Sequence, residues 1–297
     1  MESDNVEKLL RDKKAIAAFI LPALILYLIV VFVPIIWSIV YSFFSGMPGI
    51  DFKFTGISNY IQLFKDADFI NSVVTNLKYV AVVVTGQIGL GFLVSLLFAF
   101  GLKKYKTLVR TIVFFPVVLP TVATSQLFAK IYEIAPQYGL LNSLLHLLHI
   151  DWLIQPWLGQ TSTALLSVCA ADIWKAVGLY ALIFYGGLVE IPEETIESAR
   201  LDGASGIRLV RYIILPLVKP VIITGLVLSL TGTIKVFDSV LALTAGGPGT
   251  STQMVSMYMY DTAFKYGQYG YGSAIAIFIL FECLVATGIV NKLSKND

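Results

Sequence analysis

Residues 79–102 read Tyr79-Val-Ala-Val-Val-Val-Thr-Gly-Gln-Ile-Gly-Leu-Gly-Phe-Leu-Val-Ser-Leu-Leu-Phe-Ala-Phe-Gly-Leu102, a run of 24 residues without a charge. A helix rises about 1.5 Å per residue, so about 20 apolar residues cross the hydrocarbon core of a bilayer. A run of this length and polarity predicts a membrane span, and the rest of the chain has to be read around it.

The composition agrees. Of 297 residues, 57% are hydrophobic and 13% charged, with a mean hydropathy of +0.80. Soluble domains carry about 25% charged residues. A soluble protein this apolar would expose large greasy patches and associate through them. The net charge of +2 calls for neither nucleic acid nor an acidic partner. Cys169 and Cys283 both lie in apolar runs, where cysteine acts as a small packing residue. His146 and His149 share one short region without the further ligands a zinc site needs.

Five more spans are predicted. The first lies within Ala15–Phe44, interrupted by Pro22 and Pro34; at 30 uncharged residues it is far longer than the roughly 7–15 residues of a signal-peptide core and is read as uncleaved. The third is Thr111–Ala129, with Pro116 and Pro120 inside it, and the fourth runs from about Ala164 to Val189. The fifth runs from Pro216 to about Leu241 and the sixth from about Tyr271 to Val290. Basic residues then set the orientation. The N-tail, the 103–110 turn, the 190–212 loop and the C-tail together hold 13 Lys and Arg, against five (Lys53, Lys65, Lys78, Lys130, Lys265) on the other side. Both termini are therefore expected in the cytoplasm, as six crossings require. The domain reading follows: a tail at 1–14, a first span at 15–44, a membrane core at 71–290, and a second tail at 291–297.

The loops expected outside are aromatic: Phe54, Tyr60 and Phe64 in 45–76, then Leu140–Ile150 with Trp152 and Trp157 in 132–163. Two readings stand side by side, a helix at the outer interface where an external partner sits, and ordinary interfacial aromatics.

The cytoplasmic loop carries the most specific pattern. Pro192 suits the first turn of a helix, and Glu193, Glu194 and Glu197 follow near its positive end. Ile196, Ala199 and Gly203 recur at i, i+3 and i+7, predicting a narrow face of small and apolar residues. Gly203 and Gly206 bracket a break, Ser205 is placed to cap a second helix from Ile207, and Pro216 marks entry to the fifth span. A small apolar face with charged flanks suits insertion into a groove on another protein.

Glu197-Ser198-Ala199, three residues, Gly203, nine residues, then Ile213-Ile214-Leu215-Pro216 resembles the EAA loop of ABC importer permeases, with Ser198 in place of the first alanine. Ile191-Pro192, the run Leu243-Thr244-Ala245-Gly246-Gly247-Pro248 and Tyr138-Gly139-Leu140-Leu141-Asn142 are similar to the carbohydrate-importer branch. The resemblance implies an all-α integral membrane protein of six spans with the type I ABC importer permease fold. It implies a subunit of an ATP-driven sugar importer in a prokaryotic plasma membrane. Its coupling helix, with Glu197, Ser198, Ala199, Asp202 and Gly203, would seat in a cleft of an ATPase subunit. The implied partners are a second, similar permease, two ATP-binding cassette ATPases and an extracellular sugar-binding protein. No Gly-x-x-x-x-Gly-Lys-Ser/Thr phosphate loop occurs in the chain, so no cofactor is expected here, and ATP and Mg belong to the ATPase partners.

Charged groups inside spans are costly and mark functional positions by default. Asp172 and Lys175 share one face of the fourth span, and Lys235 and Asp238 make a similar pair in the fifth. Either these four pair with one another, or they line a pathway and bind sugar hydroxyls, with Trp174 or Phe237 stacking on a ring face. Resemblance to the larger maltose permease subunit, matched at Trp174 and Ile191-Pro192, places sugar-contacting positions at Asp172, Lys175, Ala176 and Leu179. Glu282 in the sixth span is expected to pair with Lys219. A permease for another solute such as a glycerol-phosphate would favour arginines in the spans, and none occurs there. A membrane enzyme needs a nucleophile with a base, yet no span contains histidine. A secondary transporter relaying protons through Asp172 and Glu282 would not require the loop spacing.

Overall fold

In the computed structural model, residues 13–295 apart from Lys103 are described. Most of the N-tail, including Lys8 and Arg11, and the last two residues lie outside the described residues, as does Lys103 of the 103–110 turn. Five helices are long and apolar enough to cross a membrane, or six when one sharply bent pair is taken as a single span.

The chain forms two compact units, one reaching to Lys65 together with Met259–Ile277, the other Asp66–Tyr258 with the chain from Phe278 onward. In the first unit, helix α1 (Lys13–Tyr27) runs through a π-helical turn at Leu28–Phe32 into α2 (Val33–Tyr41). Ile16–Tyr41 is thus one span, continuous through Pro22 and Pro34. Its flanks, Phe19, Leu26 and Ile29 among them, are exposed, as suits a surface solvated by lipid tails. A small antiparallel ladder follows, with Phe44 opposite Phe54 and Ser45 opposite Lys53. Buried Asn59 in helix α3 (Ser58–Leu63) anchors it, donating to the carbonyls of Ser42 at 2.8 Å and Phe44 at 2.6 Å.

The larger unit holds helix α4 (Ala67–Leu96), whose π-helical end reaches Gly101. The span extends well before Tyr79, because Asp66 caps it by accepting from the N–H groups of Asp68 and Phe69. Helix α8 (Ala164–Val189) matches the predicted fourth span and packs along α4. The third predicted span is two helices, α5 (Lys106–Val118) and α6 (Thr121–Ile131), bent by 101°. The cause is Pro120: Leu119 before it is extended, with φ −69° and ψ 137°. The fifth span starts ten residues earlier than expected: α10 (Gly206–Leu209) passes through a π-helical turn into α11 (Leu215–Ile234). It ends at Lys235, and a short helix α12 (Asp238–Leu243) follows. The last helix, α14 (Tyr269–Lys295), comes after α13 (Val255–Tyr260). Tyr79, Val83, Val168, Val240 and Met254 pack in the central core of this unit. Cys169 is buried among them as a free thiol, the packing role expected of it.

The segment between α6 and α8 is ordered by one side chain. Asn142, fully buried in helix α7 (Leu140–Leu147), donates to the carbonyls of Glu133 (3.1 Å) and Gln155 (3.2 Å) and accepts from Trp157 Nε1 (2.8 Å). Gly139 before it lies against the carbonyls of Lys130 and Ile131, where a Cβ would overlap them. The Tyr-Gly-x-x-Asn pattern thus has a structural cause. Trp157 faces inward while Trp152 stays exposed. Asn142→Ala is expected to cost roughly 1–3 kcal/mol for the orphaned indole N–H alone. Thermal unfolding in detergent and protease nicking within 132–163 measure it; unchanged values of both would contradict this account.

Candidate functional site

Two places bring predicted residues together. The first is a cavity of about 440 Å³ within the larger unit. Helix α8 supplies Asp172, Lys175, Ala176 and Leu179, one stripe at i, i+3, i+4 and i+7. Helix α4 supplies Tyr79 and Gln87, two turns apart on one face, and Thr121 starts α6. Ser229 and Thr233 come from α11, and the break after it adds Lys235, Phe237, Asp238 and Ser239. The bend at Pro120 and the break at Lys235 both open onto this cavity, where irregular backbone is tolerated inside a membrane protein.

Of the two readings of the charged residues, pairing with one another is not what the described residues show. Asp172 Oδ2 accepts from Tyr79 Oη at 2.6 Å and from Ser239 Oγ at 2.8 Å. Lys175 Nζ donates instead to Thr121 Oγ1 at 2.5 Å. Among the described residues, the ion pairs include neither Asp172 with Lys175 nor Lys235 with Asp238. Lys235 and Asp238 are exposed at the cavity rim, because the helix ends before them. Deeper in, Ser229 Oγ donates to Gln87 Oε1 at 2.7 Å. The cavity thus mixes hydroxyl, amide, carboxylate and ammonium groups on apolar walls, a chemistry suited to a polyhydroxylated solute.

Trp174 stands apart. It points away from the cavity, half-exposed, and meets Phe128 edge-on at 5.3 Å between centroids. Two positions further round the helix than Asp172, it falls on another face. Glu282 does not pair with Lys219 among the described ion pairs, and its buried Oε2 has no hydrogen-bond partner among them. Tyr79, Gln87, Thr121, Ser229 and Ser239 were not predicted. Each is an uncharged polar residue in or beside an apolar run; the available signal was Gln87 and Ser229, a primary amide and a hydroxyl placed mid-span.

The second place is the loop. Helix α9 (Glu193–Leu201) starts after Pro192, with Glu193 and Glu194 in its first turn and Arg200 in its last, matching the helix dipole. Gly203 turns the chain at φ +86°, a conformation glycine adopts without strain. Ser205 precedes α10 but makes no side-chain cap, contrary to its expected role. The face of Ile196 and Ala199 is not free either. Both are buried against Leu188, Leu209, Ile214 and Val218 of the same chain, so apolar burial holds α9 onto the spans. The surface left outward is Glu197, Ser198, Asp202 and Gly203, with Leu201 and Ile207 more than four-fifths exposed. On its other side, Glu190, Glu193, Glu197 and Arg200 line a cavity of about 510 Å³ that also includes Ala99, Phe100 and Lys106. The 99–106 corner and the loop therefore lie at the same end of the helices. No cluster of three or more metal-ligating side chains occurs among the described residues.

Residues 87–296 match the family described as the binding-protein-dependent transport system inner membrane component. The chain is 35% identical over 279 residues to the "Probable ABC transporter permease protein YurN" of Bacillus subtilis, covering 93% of this chain and 94% of that one. It is 31% identical over 297 residues to the trehalose/maltose transport system permease protein MalF of Thermococcus litoralis, 99% of each chain. Its fold matches a chain in the crystal structure of a bacterial alginate ABC transporter in complex with an alginate pentasaccharide-bound periplasmic protein. There the TM-score is 0.84 at 24% identity, covering 98% of this chain and 96% of that one. With the matched region spanning most of the chain, and spans, bent helix pair and loop helix arranged as described, the protein is a multi-pass membrane permease belonging to the binding-protein-dependent transport system inner membrane component family.

Proposed function

We propose that this chain is one permease subunit of an ATP-driven sugar importer and forms half of its translocation pathway, with the cavity around Asp172 and Lys175 as the sugar path. The observation that carries this reading is the polar cavity itself. Charged groups inside spans are costly and tolerated where they face a pathway, and here Lys175, Lys235 and Asp238 border a cavity without neutralising one another. Ala176, Leu179 and Phe237 supply the apolar wall against which a sugar ring packs. Relatives named for trehalose/maltose and multiple-sugar transport support the sugar class.

The energy comes from elsewhere. The chain has no phosphate-binding loop, so ATP and Mg are bound by separate ATPase subunits that dock on α9. Docking uses the outward surface, Glu197, Ser198, Asp202, Gly203 and the protruding Leu201. Ala199 acts by anchoring the helix. A second permease completes the pathway, and an extracellular binding protein delivers the sugar, a reading supported by the binding protein in the alginate complex. The basic residues place the loop and both termini in the cytoplasm. ATP-driven closure of the ATPases shifts the population of inward- and outward-open states through α9.

Lys175→Leu removes one ammonium and leaves Thr121 without its donor. It is expected to raise the sugar concentration for half-maximal uptake about tenfold, the scale of one lost charged hydrogen bond, with assembly intact. Uptake in proteoliposomes checks this; unchanged kinetics for every sugar tested would remove Lys175 from the path. Gly203→Asp puts a charge on the docking surface. Open space surrounds that position, and Asp tolerates its positive φ at about 1 kcal/mol. Sugar-stimulated ATP hydrolysis should vanish while the protein stays in the membrane, and Gly203→Asn should retain it. Full coupling in the aspartate variant would refute docking at this turn.

A further inference from the structure

We propose that Lys106 and Arg110, gathered on Tyr185, form a binding site for the phosphate of an anionic phospholipid headgroup where α5 packs on α8. The Lys106 Nζ and the Arg110 Cζ each lie 4.9 Å from the centroid of the Tyr185 ring. The ring attracts each cation but neutralises neither. Two like charges are thus gathered around one ring, and neither is in an ion pair among the described residues. Glu190, Glu193 and Glu197 border the same cavity as Lys106, yet none comes within ion-pair distance. Arg110 Nε is buried with no hydrogen-bond partner among the described residues. The rest of the Arg110 side chain is only partly buried, and two cations without a carboxylate partner leave positive charge that an anion offsets.

The position in the membrane selects a lipid over a soluble anion. Arg110 lies one turn inside the start of α5, and Tyr185 one turn before the end of α8 at Val189. Both therefore sit at headgroup depth. Leu108, Ile112 and Phe115 are exposed along the outer side of α5, an apolar wall for an acyl chain below the headgroup. Arginine's planar fork matches phosphate oxygens two at a time, and basic pockets between spanning helices hold such headgroups. Exposed Lys104 adds long-range attraction without a contact in the pocket.

The test compares the purified protein in phosphatidylcholine with and without phosphatidylglycerol, reading lipid retention by native mass spectrometry and the thermal midpoint. The wild type should retain phosphatidylglycerol selectively and unfold at higher temperature with it. The joint change Lys106→Gln with Arg110→Gln should weaken retention about fivefold per cation removed. Lys104→Gln should leave retention in place. Arg110→Lys, which keeps the charge and loses the fork, should give an intermediate value and serves if the double variant does not fold. Equal retention by the double variant and wild type, or by Arg110→Lys and wild type, would overturn the site. Stabilisation by inorganic phosphate alone in phosphatidylcholine would overturn the lipid assignment.

Discussion

The carboxylate of Asp172 is the point on which the membrane core turns. In hydrocarbon a polar group must find its partners inside the protein, and a carboxylate needs several. Asp172 finds them in the Tyr79 hydroxyl on α4 and the Ser239 hydroxyl on α12. Those two hydrogen bonds tie three separate stretches of chain across 93 and 67 residues of sequence. They leave the neighbouring lysine without a carboxylate, so Lys175 turns to Thr121 at the start of α6. The cavity persists because these groups satisfy one another around its wall rather than across its middle.

The same economy governs the broken elements. Pro120 and the end of α11 at Lys235 interrupt helices that hydropathy alone would continue. Residues at both interruptions, Thr121 and Lys235, line the cavity. At the end of the helices that carries the 190–212 loop, burial plays the corresponding part. Ile196 and Ala199 seat α9 against Leu188, Leu209 and Ile214, which makes the loop helix continuous with the packing of the spans. The loop helix is thus packed directly on α8 and α11, two of the helices that line the cavity.

Particular residues show how far the sequence could be read. Ala164–Val189 was legible to within a residue or two, because Glu190 and Ile191-Pro192 mark its end. Asp172, Lys175, Ala176, Leu179, Lys235, Phe237 and Asp238 all border one cavity: the charges stand out in apolar runs, Phe237 by its ring, and Ala176 and Leu179 only through the resemblance to the larger maltose permease subunit. Trp174 was drawn in by its aromatic chemistry, although its position on the helix turns it toward Phe128. Tyr79, Ser229 and Ser239 were missed because one hydroxyl in a long apolar run is common and carries no local sign of its partner. Ala199 was read as facing outward because its periodicity defines a face without saying which way the face points.

Hydropathy, basic-residue asymmetry and the loop spacing are properties of neighbouring residues, so the chain alone determined the membrane class, where each span lies along the chain though not where each one starts, and the family resemblance of the 190–216 loop. Which polar group satisfies which, where the third span bends, and which side of α9 is spent on the protein's own core were decided only by tertiary structure. The physical reason is that these depend on contacts between residues far apart in sequence, where the cost of an unsatisfied polar group in the membrane selects partners that no local pattern records.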